Sequence, residues 1–438
     1  MNYHIIELDK DKPTHLIYKI KNIQISENNL SIVEPILELY KGKLFTCLTK
    51  FFTNDCVNTF GYQIFSVKKS YFRTLTNLLS SWIFSLYVDY DFSSDYFFPT
   101  NYFNTVTLEN TLRDLCKYEP KILNIDIKIT KILTNLKSNY KYQLDLLKKY
   151  KNSSKYKNNR NNYKIIKTVS DNKKSKTIFY KFDIITPFLI KDKRLQNIVN
   201  NILLPSKIYN KLTNLYSGPN NKLDEIIWAI VYRYQLLGSN NHQLAVLPNI
   251  ILKMNQDYNL NFECFASSIN STFQKYCSIY WDLEKYFGSI GSFFNIIPIK
   301  GTFGFNPPYQ KEIIELGINR LFYFLNNTVE SLTFIITIPI WDSDGKHIMK
   351  NIYNNSLEKQ NIDYGDFKII NDIKQSKFFK KLRMIPKEQF TYMDHNFELY
   401  KNKTIQNTYV IILSNSNLDT DKLDEYNFEQ ISDKSIEI

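Results

Sequence analysis

Apolar residues recur at helical intervals along the first third of the chain. Between Leu30 and Leu147, stretches such as TLTNLLSSWIFSLYVDY and TVTLENTLRDLCKYEPKILNI bring apolar side chains to one helix face every three or four positions. This spacing predicts a mostly helical N-terminal domain, which we bound at residues 1–147.

The next stretch, KKYKNSSKYKNNRNNYKIIKTVSDNKKSKT at 148–177, has eleven Lys or Arg residues against a single acid, Asp171. It offers few apolar side chains to a core, so we expect a basic linker at 148–178. Two roles stay open for it. It is either a solvated connector or a flexible arm that contacts the backbone of single-stranded nucleic acid, because Lys and Arg neutralise phosphates.

After FYKFDIITPFLI the pattern changes to short apolar runs that alternate with helical stretches. The runs NFECFA, GTFGFN and SLTFIITIPI predict strands, and LDEIIWAIVYRYQLL and QKEIIELGINRLFYFLNN predict helices. Alternating strands and helices are typical of an α/β domain with a mainly parallel sheet, because each crossover helix returns the chain to the same edge. We place this domain at residues 179–418.

Two further runs near the end, RMIPKEQFTYMD and KTIQNTYVIILSN, predict strands that pair antiparallel at a sheet edge. The last segment, 419–438, has seven acids and two lysines and predicts a mobile acidic tail.

The totals narrow the class of protein. At 438 residues and 43% apolar the chain can bury a large core, and its net charge of +13 favours an anionic partner. Abundant Lys, Asn, Ile, Tyr and Phe also reflect an AT-rich genome, which weakens the argument from charge. The five cysteines are widely spread, and no leader or membrane span is evident in the sequence, so we expect an intracellular protein of the nucleus or cytoplasm.

Candidate chemistry stands where the strand GTFGF meets Asn306-Pro307-Pro308-Tyr309. Two prolines remove two N–H donors and fix the backbone, so the corner presents carbonyl oxygens. The Asn306 side-chain oxygen and the Pro307 carbonyl could accept both hydrogens of an exocyclic amine, while Tyr309 offers a face on which a base can stack.

The alternative is a turn that ends the strand and has no function of its own, since Asn and Pro are ordinary turn residues. The surroundings favour the functional interpretation. An apolar strand precedes the corner, and the helix after it carries Ile314, Ile318, Leu321 and Leu325 on one face. In open α/β folds the carboxyl end of such a strand is where ligands bind.

Four stretches carry a resemblance to a known family. FECFASSIN at 262–270, YFGSIGSFF at 286–294, GTFGFNPPY at 301–309 and LTFIITIPIW at 332–341 occur in the order and spacing of the phosphorylated-CTD-interacting factor family. The likeness extends to VYRYQLLG upstream and to KLRMIPKEQF and NTYVIILSN downstream, and so covers roughly residues 220–415.

The resemblance implies a Rossmann-like class I methyltransferase core that uses S-adenosyl-L-methionine, preceded by the helical domain. Members of the family are cap-specific adenosine methyltransferases, and their substrate is the N6 amine of the 2′-O-methyladenosine next to the 7-methylguanosine cap of mRNA. Asn306, Pro307, Pro308 and Tyr309 then take the positions of the catalytic motif.

The resemblance also points to cofactor-binding residues in two segments. Glu263 would end the first strand of the cofactor half and contact the methionine amino group, directly or through water, although it could be an ordinary strand-end carboxylate. Cys264 fits equally well as a small buried hydrophobe. The expected set is Glu263, Cys264, Phe265, Ala266, Ser267, Gly288 and Ser289, and the loop with Gly288 and Gly291 is a weaker signal than a full phosphate-binding fingerprint.

The chain departs from the family in places. The family commonly has Phe where Tyr309 stands and Pro where Ser268 stands, while Tyr is usual in related DNA enzymes. The tryptophans, Trp82, Trp228, Trp281 and Trp341, lack the N-terminal pair about 20 residues apart that a WW module needs. We therefore expect a WW-less member without recruitment to the phosphorylated tail of RNA polymerase II.

Other interpretations stay open from sequence. The same tetrapeptide would serve a DNA adenine N6-methyltransferase, and a catalytically silent RNA-binding scaffold could keep the fold. Trp341 and Asp342 follow a predicted strand and could lie at the substrate mouth. His4, His15, His242, His347 and His395 are not at metal-ligand spacing, so we expect no metal.

Overall fold

A computed structural model of the chain describes thirteen stretches. They are residues 3–8, 16–21, 33–61, 71–86, 105–116, 122–172, 177–188, 190–238, 243–309, 311–339, 368–396, 399–401 and 407–429. Trp341 and Asp342 lie outside them, as does the end of the chain from residue 430.

These stretches contain both helices and strands. The α-helices are α1 Pro35–Phe60, α2 Tyr71–Leu86, α3 Val106–Cys116, α4 Ile125–Asn152, α5 Ser154–Asn159, α6 Lys193–Asn200, α7 Ser206–Leu215, α8 Leu223–Leu236, α9 Pro248–Tyr258, α10 Trp281–Glu284, α11 Lys311–Asn326 and α12 Lys368–Gln375. The strands are β1 Tyr3–Leu8, β2 Leu16–Lys21, β3 Lys164–Asn172, β4 Thr177–Ile185, β5 Leu203–Pro205, β6 Leu244–Val246, β7 Leu260–Glu263, β8 Ile296–Phe305, β9 Leu332–Pro339, β10 Phe379–Ile385, β11 Tyr392–Asp394, β12 Leu399–Lys401 and β13 Thr408–Ser414.

A seven-stranded sheet organises the C-terminal part of the chain. Its order is β1-β2-β8-β9-β13-β10, and β7 pairs with β8. Strands β7, β8 and β9 are parallel, whereas β13 is antiparallel to both β9 and β10. The predicted strand–loop–helix–strand unit and the antiparallel pair at the sheet edge are therefore confirmed.

Both faces of this sheet are covered. On β13, Ile411 and Leu413 enter one core while Val410 and Ile412 enter the other. Side chains alternate across a strand, so a strand buried on both faces shows the continuous apolar run seen in the sequence. The predicted face of α11, Ile314, Ile318, Leu321 and Leu325, lies in the first of these cores.

The helices α1 to α4 form the predicted helical region, but it is not packed apart from the rest. One apolar cluster contains Leu48 and Trp82 together with Leu212 and Trp228 from beyond residue 179. The N-terminal strands β1 and β2 form a hairpin, and β2 pairs with β8 of the main sheet. The boundary at residues 147 and 179 stays a prediction.

The expected linker at 148–178 is wrong as a description of local structure. Helix α4 continues to Asn152, α5 follows, and β3 pairs antiparallel with β4 from Lys164↔Ile185 to Asn172↔Thr177. The lysine-rich composition hid this hairpin, in which Lys164 is exposed while Phe179 and Phe182 of β4 are buried.

The expected mobility of the acidic tail is wrong for its first part. Residues Asp421–Glu425 form a 3₁₀ helix, and Leu423, Tyr426 and Phe428 are buried in the core under β13. These three apolar side chains anchor the segment, while its acids face solvent.

The fold is mixed α/β, but the expected mainly parallel sheet is wrong. Strands β7, β8 and β9 pair in parallel, whereas the other four pairings of the main sheet are antiparallel. Within the described ranges, we find no helix with the length and apolar character that crossing a membrane requires.

Candidate active site

The candidate site lies at the carboxyl ends of β7 and β8. Glu263 at the end of β7 is paired with Gly304 of β8, and the Cys264 backbone N–H donates to the Gly304 carbonyl at 2.8 Å. Because the strands are parallel, Glu263 and the Asn306 corner leave the sheet at the same edge. The two predicted parts of the site are thus neighbours.

The corner itself is built by packing on both sides. Phe305 is fully buried against the rings of Phe265 and Phe293, with centroids 5.3 and 5.5 Å away. On the other side α11 approaches so closely that a Cβ on Gly317 would lie 2.4 Å from the Phe305 ring. The strand ends after Phe305 because Pro307 and Pro308 have no N–H to extend the ladder.

Tyr309 combines an accessible ring with an engaged hydroxyl. The residue is 42% exposed, so its ring is not part of the core. Its hydroxyl donates to Asn306 Oδ1 at 3.2 Å and contacts the hydroxyl of Tyr392, whose ring meets it edge-on. Burial of the hydroxyl raises the pKa of Tyr309 well above its ordinary value, so the phenol stays protonated.

Glu263 is held by the loop that follows β7. Its Oε2 accepts hydrogen bonds from the backbone N–H groups of Thr272 and Phe273, at 2.7 and 3.2 Å. Burial raises the pKa of the Glu263 carboxyl to about 7, because these hydrogen bonds and the nearby Lys211 only partly offset desolvation. Both hydrogen bonds are made by Oε2.

The other predicted residues of this loop divide by role. Cys264 is fully buried in the core, and burial raises its thiol pKa well above the ordinary value, which fits its interpretation as a small hydrophobe. Phe265 packs on the corner, and the Ala266 N–H donates to the Cys277 carbonyl. Ser267 is buried, its N–H donates to Asn270 Oδ1, and its hydroxyl reaches Gln243 Oε1 at 2.6 Å.

Gly288 and Ser289 lie in a segment that is linked to Glu263 through Tyr276. Glu263 is bridged to Tyr276, and Tyr276 is bridged to Ser289. Gly288 has φ 100°, and a Cβ there would meet the Gln274 carbonyl at 1.9 Å. The Ser289 hydroxyl contacts that of Ser278 at 2.7 Å. Their predicted cofactor contacts stay a prediction.

A second wall of the site was missed from the sequence. Strand β11 pairs with β6 and places Tyr392 against Tyr309, while the backbone N–H of His395 donates to the Gln243 carbonyl. Among the residues that the structure describes, Gln243 Nε2 and both His395 ring nitrogens are buried without a hydrogen-bond partner. No local pattern marks these residues, because the pairing of β6 with β11 brings them together.

Lys211 of α7 reaches this wall from the helical side. Its ammonium donates to the carbonyls of Ile269 and Ser271, at 2.9 and 3.0 Å. Burial lowers the Lys211 pKa to about 8, and the positive charge of Lys211 helps burial to lower the His395 pKa to about 3. His395 is therefore neutral at physiological pH.

Glu284 of α10 holds the loop that follows β7 through hydrogen bonds. Its Oε1 accepts from the Ser268 N–H at 2.7 Å, and its Oε2 accepts from the Tyr234 hydroxyl at 3.1 Å. Burial raises the Glu284 pKa to about 7. The sequence signal that could have singled it out is its position among aromatic residues in the run YWDLEKYF.

The side chains gathered beside the Asn306 corner differ in chemistry. In the described part of the chain, no group of three or more His, Cys, Asp or Glu side chains could hold a metal ion. The residues beside the corner provide a carboxylate, an amide, an imidazole, an ammonium group and an aromatic face, from Glu263, Gln243, His395, Lys211 and Tyr309.

Comparison with known proteins finds similarity over the middle of the chain. A family model described as "Phosphorylated CTD interacting factor 1 WW domain" matches residues 206–364. The mRNA (2'-O-methyladenosine-N(6)-)-methyltransferase of Mus musculus is 31% identical over 121 residues. The Homo sapiens protein of the same name is also 31% identical over 121 residues. These matches show that this part of the chain is similar to the phosphorylated-CTD-interacting factor family.

The resemblance predicted from the four motifs is thus confirmed. Each alignment spans 26% of this chain and only 17% of the relative's length. The description of the family model names a WW domain, which is at odds with our expectation that the chain lacks this module. The described residues of 206–364 include helices α7 to α11 and the parallel strands β7 to β9, and the absence of a WW module stays a prediction.

Proposed function

We propose that the chain is a methyltransferase that uses S-adenosyl-L-methionine and acts on the N6 amine of adenosine, with the cap-adjacent 2′-O-methyladenosine of mRNA as its substrate. The observation that carries this proposal is the Asn306–Tyr309 corner, which leaves the sheet beside Glu263 with the Tyr309 ring accessible. A Rossmann-like class I core preceded by a helical domain is part of the same proposal, as is an intracellular location.

The residues beside the corner match the methyl donor through the chemistry of their unpartnered polar groups. The Gln243 amide and the neutral His395 imidazole are buried donors without partners in the described chain, and such groups cost stability unless a ligand uses them. They would bind the carboxylate of the methionine part, and Glu263 Oε1 would accept from its amino group. The cofactor supplies an activated methyl group on a sulfonium.

The corner would hold the target base. The Asn306 Oδ1 and the Pro307 carbonyl accept one N–H each from the exocyclic amine, which fixes the nitrogen and favours its pyramidal, nucleophilic form. Tyr309 stacks on the adenine, which is worth about 1–3 kcal/mol per base. The remaining task is alignment and exclusion of water, since the methyl donor needs no further activation.

The β3–β4 hairpin would contact the RNA backbone. It carries Lys164, Lys167 and Lys181, and Lys167 stands over the ring of Tyr209 on α7, the helix that also bears Lys211. Loss of two hairpin lysines should lower the slope of log affinity against log salt by about 1–2, because each neutralised phosphate releases counterions.

A methylation assay with four substrates tests the proposal. The protein and labelled cofactor are incubated with capped RNA that starts with 2′-O-methyladenosine, the same RNA uncapped, capped RNA that starts with guanosine, and adenine-containing duplex DNA. Label should appear as N6-methylated 2′-O-methyladenosine in the first substrate. Asn306→Ala should lower turnover by about 10²–10³-fold because it deletes the oxygen that holds the amine.

The matched control is Asn326→Ala, which makes the same change at the exposed end of α11 and should leave turnover unchanged. Labelling of duplex DNA alone would overturn the RNA substrate and establish the second candidate, a DNA adenine methyltransferase, which the tyrosine at position 309 favours. Absence of labelling together with no calorimetric binding of the cofactor would indicate a silent scaffold.

A further inference from the structure

A chain of hydroxyl groups leads from the main sheet to the Asn306 amide. The Thr408 hydroxyl of β13 lies 3.5 Å from the Tyr392 hydroxyl, which contacts the Tyr309 hydroxyl. Tyr309 in turn lies 3.2 Å from Asn306 Oδ1. The contacts join residues from three separate segments at the one amide that the proposed reaction depends on.

The direction of each hydrogen bond follows from the number of protons. Asn306 Oδ1 has no hydrogen, so Tyr309 must use its single hydroxyl proton to donate to it. Tyr309 can then only accept from Tyr392, and Tyr392 can only accept from Thr408. Each of these three hydroxyl groups therefore directs its proton along the series toward Asn306.

Both phenols keep their protons at physiological pH. Burial raises the pKa of Tyr392 to about 12 and that of Tyr309 well above its ordinary value. Tyr392 is also fixed in place, because β11 is paired on both sides and the ring packs against Phe390 with centroids 4.5 Å apart. It gives Tyr309 a rigid point of attachment.

The Asn306 amide can be rotated so that either its oxygen or its NH₂ group faces the target. With the NH₂ group forward, its hydrogens would oppose the hydrogens of the substrate amine, and the site could not hold that amine. A donor hydroxyl beside the amide favours the rotamer in which the oxygen lies at that point. Oδ1 has two lone pairs, so one serves Tyr309 and the other stays available.

We propose that Tyr392 and Tyr309 are positioning residues that hold the Asn306 amide with Oδ1 directed at the amine of the substrate. The inference rests on the proposed function. It assigns the Tyr309 hydroxyl a task separate from the stacking surface of its ring, and it assigns Tyr392 a task that no feature of the local sequence indicates.

Single and double Tyr→Phe variants test this inference in the methylation assay. Y309F should lower kcat by about tenfold, as expected for one lost orienting hydrogen bond, with KM for the cofactor and the melting temperature unchanged. Y392F should lower kcat by about threefold. The double variant should equal Y309F, because Tyr392 acts only through Tyr309. Y323F, on the exposed side of α11, is the matched control and should match the unaltered protein.

The decisive variant is Asn306→Asp, because a carboxylate has two equivalent oxygens and needs no orienting donor. In that background Y309F should change kcat by less than about twofold. If N306D is inactive, the equality of Y309F and the double variant decides instead.

An active protein in which Y309F turns over normally, or in which the losses from Y309F and Y392F simply multiply, overturns the inference and leaves the proposed function standing. A loss from Y309F that is the same with and without the N306D change also overturns it. An unaltered protein that transfers no methyl group overturns the proposed function and this inference with it.

Discussion

Arg233 on α8 donates two hydrogen bonds to the carboxylate of Glu38 on α1, at 2.8 and 2.9 Å, in a site from which water is excluded. The same guanidinium donates to Asp282 of α10 at 2.8 Å. The ion network thus joins the first helix of the chain to the segment that carries Glu284. This network therefore connects the helical cluster to the loop of the candidate site.

Glu38→Gln should destabilise the protein by about 3–5 kcal/mol, because it leaves part of the Arg233 charge buried without compensation. Chemical denaturation followed by circular dichroism measures this difference. Glu109→Gln, which removes the charge of an exposed partner of Arg113, is the matched control and should change the free energy of unfolding far less. Equal effects of the two variants would contradict a stabilising role for the buried network.

From the raised pKa of Glu263 we predict that the protein loses stability as pH rises toward neutrality. Its pKa is raised in the folded protein to about 7, so the folded state holds a proton that the unfolded state has already lost above its ordinary value of 4.5. The contribution is complete below that ordinary value and is lost as pH rises through about 7. Unfolding free energies measured between about pH 4.5 and 7.5 should fall accordingly.

Glu263→Gln should remove part of this fall, and Glu284, whose pKa is also raised to about 7, accounts for the remainder. Glu330→Gln on the surface serves as the control. A pH profile that is identical in the Glu263→Gln variant and the unaltered protein would show that Glu263 is not protonated in the folded state.

Gly288→Ala should be much more damaging than the same change at Gly61. Both glycines have φ in the left-handed region, which costs an alanine about 1–2 kcal/mol. At Gly288 the new Cβ would also meet the Gln274 carbonyl at 1.9 Å, whereas at Gly61 no atom lies within 4 Å. We expect an extra loss of about 1–3 kcal/mol at Gly288 from this overlap. Thermal melts of the two variants make the comparison.

His395→Leu should separate stability from ligand binding. Neither ring nitrogen of His395 has a partner in the described chain, so an apolar side chain should leave stability unchanged or raise it by about 1 kcal/mol. If the imidazole holds the cofactor carboxylate, calorimetry should show affinity for S-adenosyl-L-methionine about tenfold lower, as expected for one lost hydrogen bond. Unchanged affinity would remove His395 from the cofactor site.

The parts of the fold that sequence predicted are those with strong local patterns. Helices α8 and α11 and strand β9 followed from apolar spacing, and the corner at Asn306 followed from the chemistry of two prolines after a strand. The β3–β4 hairpin was missed because its lysines suggested a solvated segment, although the strands pair along nine residues. The charge of a segment reflects its exposed residues and does not reveal a buried side chain such as Phe182.

The far wall of the candidate site could not be predicted for a different reason. His395 and Gln243 are about 150 residues apart in sequence and meet because β11 and β6 pair, so no window of local pattern contains both. The predicted strand RMIPKEQFTYMD is in fact two strands, since Pro386 has no N–H and the chain turns through Lys387–Gln389 before β11 joins another sheet.

The pairing of β2 with the first half of β8 has a consequence for how the chain is made. Residues Ile17–Ile20 leave the ribosome long before their partners at Ile296–Lys300 exist, and in the described sheet β8 is the neighbour that covers the outer edge of β2. The nascent hairpin therefore carries an open edge through most of translation, a hazard for misassociation. The earliest strands can join the main sheet only after the strand that ends at Phe305 has been made.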